Sequence, residues 1–285
     1  MKHPWVVLCT LSLLVPARQS AALGLHPTPS SPYDLAVSGN VAGVPAGGIG
    51  YLRWSDLRAL PTSQIRLDGE FVKGTQTVTI VFLSDLWKAL PVAPGSDTLL
   101  ATCASDGYAA IYTLDFMARY RPFVVLEING QGPDKWPPPG LAYNPGPYVI
   151  SVSADLAPAA AGFRDMPHKK PWGVTQVEVA RSADRLSALY SGKWASLSPD
   201  AAKGREIWIN SCASCHKDPE GKFGGTKSGK PFQVLAAYAA YDRAYFERYV
   251  HNPQAVVPTA KMEPHPWYTD AELRQLEAFV TAGGP

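Results

Sequence analysis

The pentapeptide Cys212-Ala213-Ser214-Cys215-His216 constrains this chain more than any other stretch. Two thiols three residues apart lie on one face of a helical turn, and an imidazole follows at once. That spacing suits two thioether bonds to a single haem, with His216 meeting the iron from the same side. A structural zinc site would need a second cysteine pair. The other cysteines, Cys9 and Cys103, are far apart and do not supply one.

The 285 residues are enough for one large or two ordinary domains, and the 46% hydrophobic content allows a sizeable core. A net charge of +2 gives no argument for nucleic acid or an acidic membrane surface. The chain opens as an export signal would. Lys2 and His3 are basic, Trp5 to Val15 is apolar, and Ser20-Ala21-Ala22 offers small residues for cleavage. Residues 1–22 are therefore expected to be a signal peptide, too short in its apolar run for a membrane span, and Cys9 is expected to leave with it. A retained anchor is the alternative. Export agrees with the haem motif, because c-type haem is attached outside the cytoplasm; the expected location is the periplasm. Cys103 is then expected to be a buried free thiol.

Residues 23–47, rich in Pro, Gly, Ser and Ala, predict an irregular lead-in. From 48 to 185, short apolar and β-branched runs alternate with turns. Thr77 to Phe82, Thr98 to Cys103, Phe123 to Ile128, Tyr148 to Val152 and Val174 to Val179 predict strands. Ser55 to Leu60 and Ser84 to Leu90 predict short helices. The expected class for this part is α+β, dominated by strands. Residues 186–197 predict a connector. Residues 198–285 predict an all-α domain. It opens with Ser198 as cap, Pro199 in the first turn and Asp200 at the positive end of the helix. It closes with a helix begun by the capping box Thr269 to Glu272 and carrying Leu273, Leu276, Phe279 and Val280 on one stripe.

In this last region Gly204, Trp208 and Cys212 follow one another at spacings of four, and Phe279 lies on the final helix. With the attachment motif, these residues resemble class I cytochromes c. The resemblance implies that Gly204 lets the first helix cross the last closely, and that Trp208 and Phe279 pack at the crossing. It also implies an axial methionine in a loop before the last helix. Met262, the only methionine after the motif, sits in such a Pro-rich segment. His/Met ligation would favour reduced iron relative to a second histidine. His251 and His265 are the competing ligands, and a five-coordinate iron is the remaining option. The resemblance implies a backbone acceptor for the other ring nitrogen of His216, with Pro231 as candidate. Tyr238, Tyr241, Tyr245, Trp267 and Tyr268 could line the haem or bond a propionate, or belong to the core.

Upstream, the cues Trp54 to Pro61, Leu83 to Trp87, Ser105 to Ala110, Leu126 to Gly130, Pro147 to Ile150 and Trp172 to Val174 run in an order that resembles the molybdopterin-binding fold of sulfite-oxidase-like proteins. That resemblance implies a molybdenum ligand, a cysteine in a strand upstream of the Asp106-Gly107-Tyr108 cue. Between Ile65 and Leu86 there is none, and Cys103 lies in another strand. Molybdopterin is therefore not expected. Asp106 is read as the start of an Asp-Gly turn. His168, Lys169 and Lys170 form a small basic cluster, read as a solvated loop, with contact to an anion or a partner as the alternative.

The leading expectation is an exported electron carrier with one covalent haem c held by Cys212 and Cys215, with His216 and Met262 on the iron. The upstream domain would dock a redox partner protein, without nucleic acid and without a stable membrane span. Electron transfer is expected rather than catalysis. The alternative is a molybdenum-dependent oxidoreductase passing electrons to its own haem.

Overall fold

Alternating and β-branched runs become strands where both faces can be covered. The computed structural model describes residues 23–283 except 69–73, 138, 142, 159–163 and 165. Residues 1–22, where the signal segment is expected, and the terminal 284–285 lie outside the described residues.

Among the described residues nine strands form one sheet: β1 (Leu35–Gly39), β2 (Ile49–Leu52), β3 (Ser63–Asp68), β4 (Thr75–Phe82), β5 (Thr98–Cys103), β6 (Ala109–Thr113), β7 (Phe123–Ile128), β8 (Tyr148–Ser151) and β9 (Trp172–Ala180). The main path runs β2-β1-β9-β8-β7-β4-β3, and β5 joins β9 to β6. All pairings are antiparallel except β1 with β9. Strand β9 is the hub. Val174 pairs with Cys103 and Tyr148, and Val177 with Ala101 and Val37, so β5 runs along one edge while β8 and β1 share the other.

The expected strands therefore form. One expectation needs correction. Residues 23–47 are not merely irregular, because β1 lies inside them with Leu35 and Val37 buried. Its run is short, and only the pairing with β2 and β9 makes it a strand. Three helices cross between strands: α1 (Trp54–Arg58), α2 (Leu83–Ala89) and α3 (Leu114–Tyr120). The last was not expected. Its start is set by Thr113, whose hydroxyl accepts the Phe116 N–H at 3.1 Å.

A short helix α4 (Ser182–Arg185) and two 3-10 turns lead out of the sheet. This connector is no free linker, since Leu186 and Leu189 are buried. The helical part contains α5 (Pro199–Ser211), α6 (Phe232–Tyr241), α7 (Arg243–His251), α8 (Pro253–Val256) and α9 (Asp270–Thr281). The caps read from sequence are in place. Ser198 accepts from the Ala201 N–H, and Thr269 and Glu272 complete a reciprocal box.

Gly204 decides how α5 meets α9. A Cβ there would lie 1.9 Å from the Gln275 carbonyl oxygen and 2.8 Å from the Phe279 Cβ. Only a glycine permits this approach. One turn on, Trp208 packs on Phe232 and Phe279 with ring centroids 5.0 and 6.0 Å away.

The two halves share apolar packing. Leu100, Ile111 and Ala180 of the sheet belong to the same buried cluster as Trp208, Ile209 and Leu276, while Cys215 and Trp267 pack against the sheet's own core. The helical half is therefore seated on β5, β6 and β9.

Candidate functional site

The C-terminal end of α5 delivers Cys212 as the helix cap, its N–H bonded to the Trp208 carbonyl. The chain stays wound for one more turn, with the Cys215 and His216 N–H groups both bonded to the Cys212 carbonyl. That turn puts both thiols and the imidazole against one cavity of about 790 Å³. Its size suits a large planar cofactor.

A loop then doubles back under His216. The Asp218 carboxylate is buried and accepts the N–H groups of Glu220, Lys222 and Phe223. Gly224 closes the loop at φ +77, where a Cβ would lie about 2 Å from the carbonyl oxygens of His216 and Ala213. These two residues position the motif, and sequence reasoning missed both. The Asp218-Pro219-Glu220-Gly221 turn followed by paired glycines was the available signal.

Met262 and His265 reach the cavity from the irregular segment before α9. His251 does not line it, and its ring Nε2 instead contacts the Tyr268 carbonyl at 2.6 Å. Of the aromatic candidates, Tyr238 and Tyr245 line the cavity. Tyr241 is 93% exposed, and the Tyr268 hydroxyl turns to Ser211. Trp267 is not in the lining, and its Nε1 has no partner among the described residues. The Pro231 carbonyl accepts the Val234 N–H rather than a proton from His216, whose Nδ1 has no partner among the described residues.

Burial governs the protonation of these groups. It pushes the Cys212 thiol up to about 12, with Cys215 adding to the rise and Lys169 opposing it. It pushes His216 down to about 4, helped by Lys230, and His265 down to about 4, helped by His168. Both rings are therefore neutral near pH 7, the form in which an imidazole nitrogen can ligate a metal.

The sheet half supplies the rest of the wall. Cys103, Asp106, Tyr108, His168, Lys170 and Trp172 all line the same cavity. Cys103 is buried as expected, and burial raises its thiol to about 11. Asp106 does shape an Asp-Gly turn, accepting the Tyr108 N–H at 3.0 Å. It also pairs with Lys227 at 2.5 Å across the two halves, and the hydrogen bond from that lysine holds its carboxyl below the usual range.

The basic stretch at 168–170 corrects the sequence reading. It is not a solvated loop, since His168 and Lys169 are buried in a 3-10 turn. The His168 ring bridges the halves, with Nδ1 at 3.3 Å from Glu263 and Nε2 at 3.2 Å from the Asn210 carbonyl. Its basic side chains read as a loop in water, and nothing local signals that a domain closes over it.

The residues fit a covalently held haem. Two thiols and a neutral imidazole share the cavity with a thioether and a second imidazole, and the buried His216 Nδ1 is free to hold the ring's other proton. The cytochrome c family model matches residues 201–283. Comparison with curated proteins gives no match. Among solved structures, the chain is similar to the sulfane dehydrogenase SoxCD of Paracoccus pantotrophus, with 15% identity and a TM-score of 0.36. The alignment covers 62% of this chain and 52% of that one, so the chain spans about half of that protein's length. From residue 201 to residue 283, this chain carries a cytochrome c domain.

Proposed function

We propose that this chain is an exported, periplasmic electron carrier with one haem c. Cys212 and Cys215 would hold the haem covalently, and His216 and Met262 would be the axial ligands. When bound, the haem supplies one-electron chemistry, and the protein sets its potential, exposure and docking. The observation that carries this reading is the convergence of those four side chains on one cavity.

The chain's own residues prepare the site. Burial keeps His216 neutral, so no proton has to leave before it ligates. Asp218 and Gly224 fix the loop beneath it. The apolar wall of Trp208, Leu235, Phe246, Val250 and Leu276 excludes water, which favours the less charged, reduced iron. Met262 is preferred to His265 because it is the only methionine after the attachment motif and supplies a soft thioether from the non-helical, Pro-rich segment ahead of α9. The sheet half would serve for docking a redox partner protein, since it already forms part of the wall around the haem. Among the described residues no helix is long and apolar enough to cross a membrane.

The alternative is a molybdenum-dependent oxidoreductase passing electrons to its own haem. It needs a thiolate in the sheet half. Cys103 is the one cysteine there, and it opens onto the haem cavity. This favours the electron-carrier reading without molybdenum.

The test is expression of the full chain with haem-attachment machinery and molybdopterin synthesis both active. Covalent haem with a methionine-to-iron absorption band, and no stoichiometric molybdenum, is expected. Met262→Ala should abolish that band and lower the potential. An unchanged spectrum in that variant would put another ligand, first His265, on the iron.

A further inference from the structure

We propose that Lys169 is a built-in positive charge that sets the reduction potential of the haem held in the neighbouring cavity; this rests on the haem reading above. Lys169 is 1% exposed, which is rare for a lysine. Its neighbours His168 and Lys170 line the cavity, while Lys169 turns back behind the wall into the sheet half. There its ammonium donates to the Ile111 carbonyl of β6. It also lies over the rings of Phe116 and Tyr112, with the Nζ at 4.7 and 5.5 Å from the centroids.

The turn that carries it is fastened from two sides. The Tyr108 hydroxyl donates to the His168 carbonyl at 2.7 Å, and the Tyr112 hydroxyl to the Lys169 carbonyl at 2.8 Å. The position of the charge is therefore built, not incidental.

The titratable groups facing Lys169 are Tyr112 from β6 and Cys212 and Cys215 from the haem segment, with His168 beside it on its own turn. His168 is occupied by Glu263. Thiols bonded to haem become thioethers and carry no charge, and among the described residues no carboxylate faces Lys169. An unpaired buried cation is expensive, so a fold that keeps one invites a functional account. An electron arriving in the cavity brings negative charge within reach of the ammonium, and the poorly screened interior strengthens their attraction. Lys169 therefore favours the reduced state. Burial also holds the Lys169 pKa down to about 7, opposed only by Cys212 and Cys215. Near neutral pH the residue would take up a proton as the electron arrives.

The experiment uses the full haem-loaded chain and measures the midpoint potential spectroelectrochemically from about pH 6 to about pH 9, spanning the neutral-range titration of a desolvated lysine. Lys169→Met should move the equilibrium with a one-electron mediator about tenfold toward the oxidised form at pH 6, or 59 mV lower. Its potential should also be flatter with pH than that of the parent. Lys169→Arg, which keeps its charge throughout, should hold the higher potential. A Lys169→Met protein with covalent haem and the parent's potential and pH profile would overturn the proposal. Should that variant fail to fold, a parent potential that does not change with pH across the lysine's range overturns it equally. Absence of covalent haem from the parent protein is a different failure, and it refutes the haem reading itself.

Discussion

The sheet half and the helical half solve the burial problem differently. In the sheet half, strands β4, β5, β7 and β8 bury most of their side chains, and the polar groups inside find partners. Of the eight buried side-chain polar atoms without a partner among the described residues, Ser96 Oγ is the only one upstream of residue 190. The rest belong to Trp194, Arg205, Trp208, Asn210, His216, His265 and Trp267. Buried polar groups left unpaired are costly, and they concentrate where function outweighs packing. Three of these residues, Trp208, His216 and His265, line the cavity. The helical half is organised around a group that the polypeptide does not itself provide.

The sharpest way to break this contrast is at Gly204. A methyl there collides with the Gln275 carbonyl and the Phe279 Cβ, both fixed by helix α9. Gly204→Ala must push α5 and α9 apart and unseat the Trp208–Phe279 contact. A loss of about 3 kcal/mol is expected, at the upper end of overpacking effects. Circular dichroism should show helix melting first while the sheet signal persists. A single transition at an unchanged midpoint would mean that the crossing tolerates the methyl.

The difference between the halves also explains what the sequence could tell. The attachment motif and both helix caps depend on residues close in sequence and were legible, while the glycine at the crossing and the Trp208–Phe279 pair followed from the resemblance to class I cytochromes c. Also legible were strands such as Thr98–Cys103 and Phe123–Ile128, whose apolar runs are continuous because both faces are covered. Strand β1 was not, because five residues amid prolines and glycines become a strand only when β9 lies alongside. The cavity's second wall was hidden for a related reason. Tyr108, His168 and Cys103 meet the haem motif across more than forty residues, and no local pattern records that one domain closes on another. The basic stretch 168–170 looked solvated because lysines usually are.

A second effect sharpens the comparison through pH. Among the described residues Lys169 is the one buried lysine, and it sits at the boundary with the cavity. Its folded pKa is depressed to about 7 from 10.5, so between those values the unfolded chain binds more protons. This contribution therefore makes stability rise with pH above about 7, and its penalty is fullest below that. Above about 9, the raised pKa of Cys103 acts in the opposite sense, because there the folded state binds more protons. The clean window is thus pH 7 to 9. Lys169→Met should stabilise the protein by about 1–4 kcal/mol near pH 7, with the gain shrinking toward pH 9. Urea titrations at the two pH values would measure it. A gain independent of pH would mean that the lysine stays charged in the folded state across this window, its pKa not depressed.

The smallest effect concerns what joins the halves. Asp106 and Lys227 form an ion pair across the boundary, but their side chains are 38% and 55% exposed. Water and salt screen such a pair, so its contribution should be about 1 kcal/mol or less. The apolar contact of Leu100, Ile111 and Ala180 with Trp208 and Ile209 is buried and should dominate. Asp106→Asn separates the two contributions. Asparagine can still accept the Tyr108 N–H and keep the turn, so the substitution removes the charge without reshaping the backbone. Stability of the full chain should change by less than about 1 kcal/mol, and added salt should reduce the difference between parent and variant. A loss of several kcal/mol would show that the halves are held electrostatically. The sheet would then be a partner that salt can release, and not a fixed wall of the haem cavity.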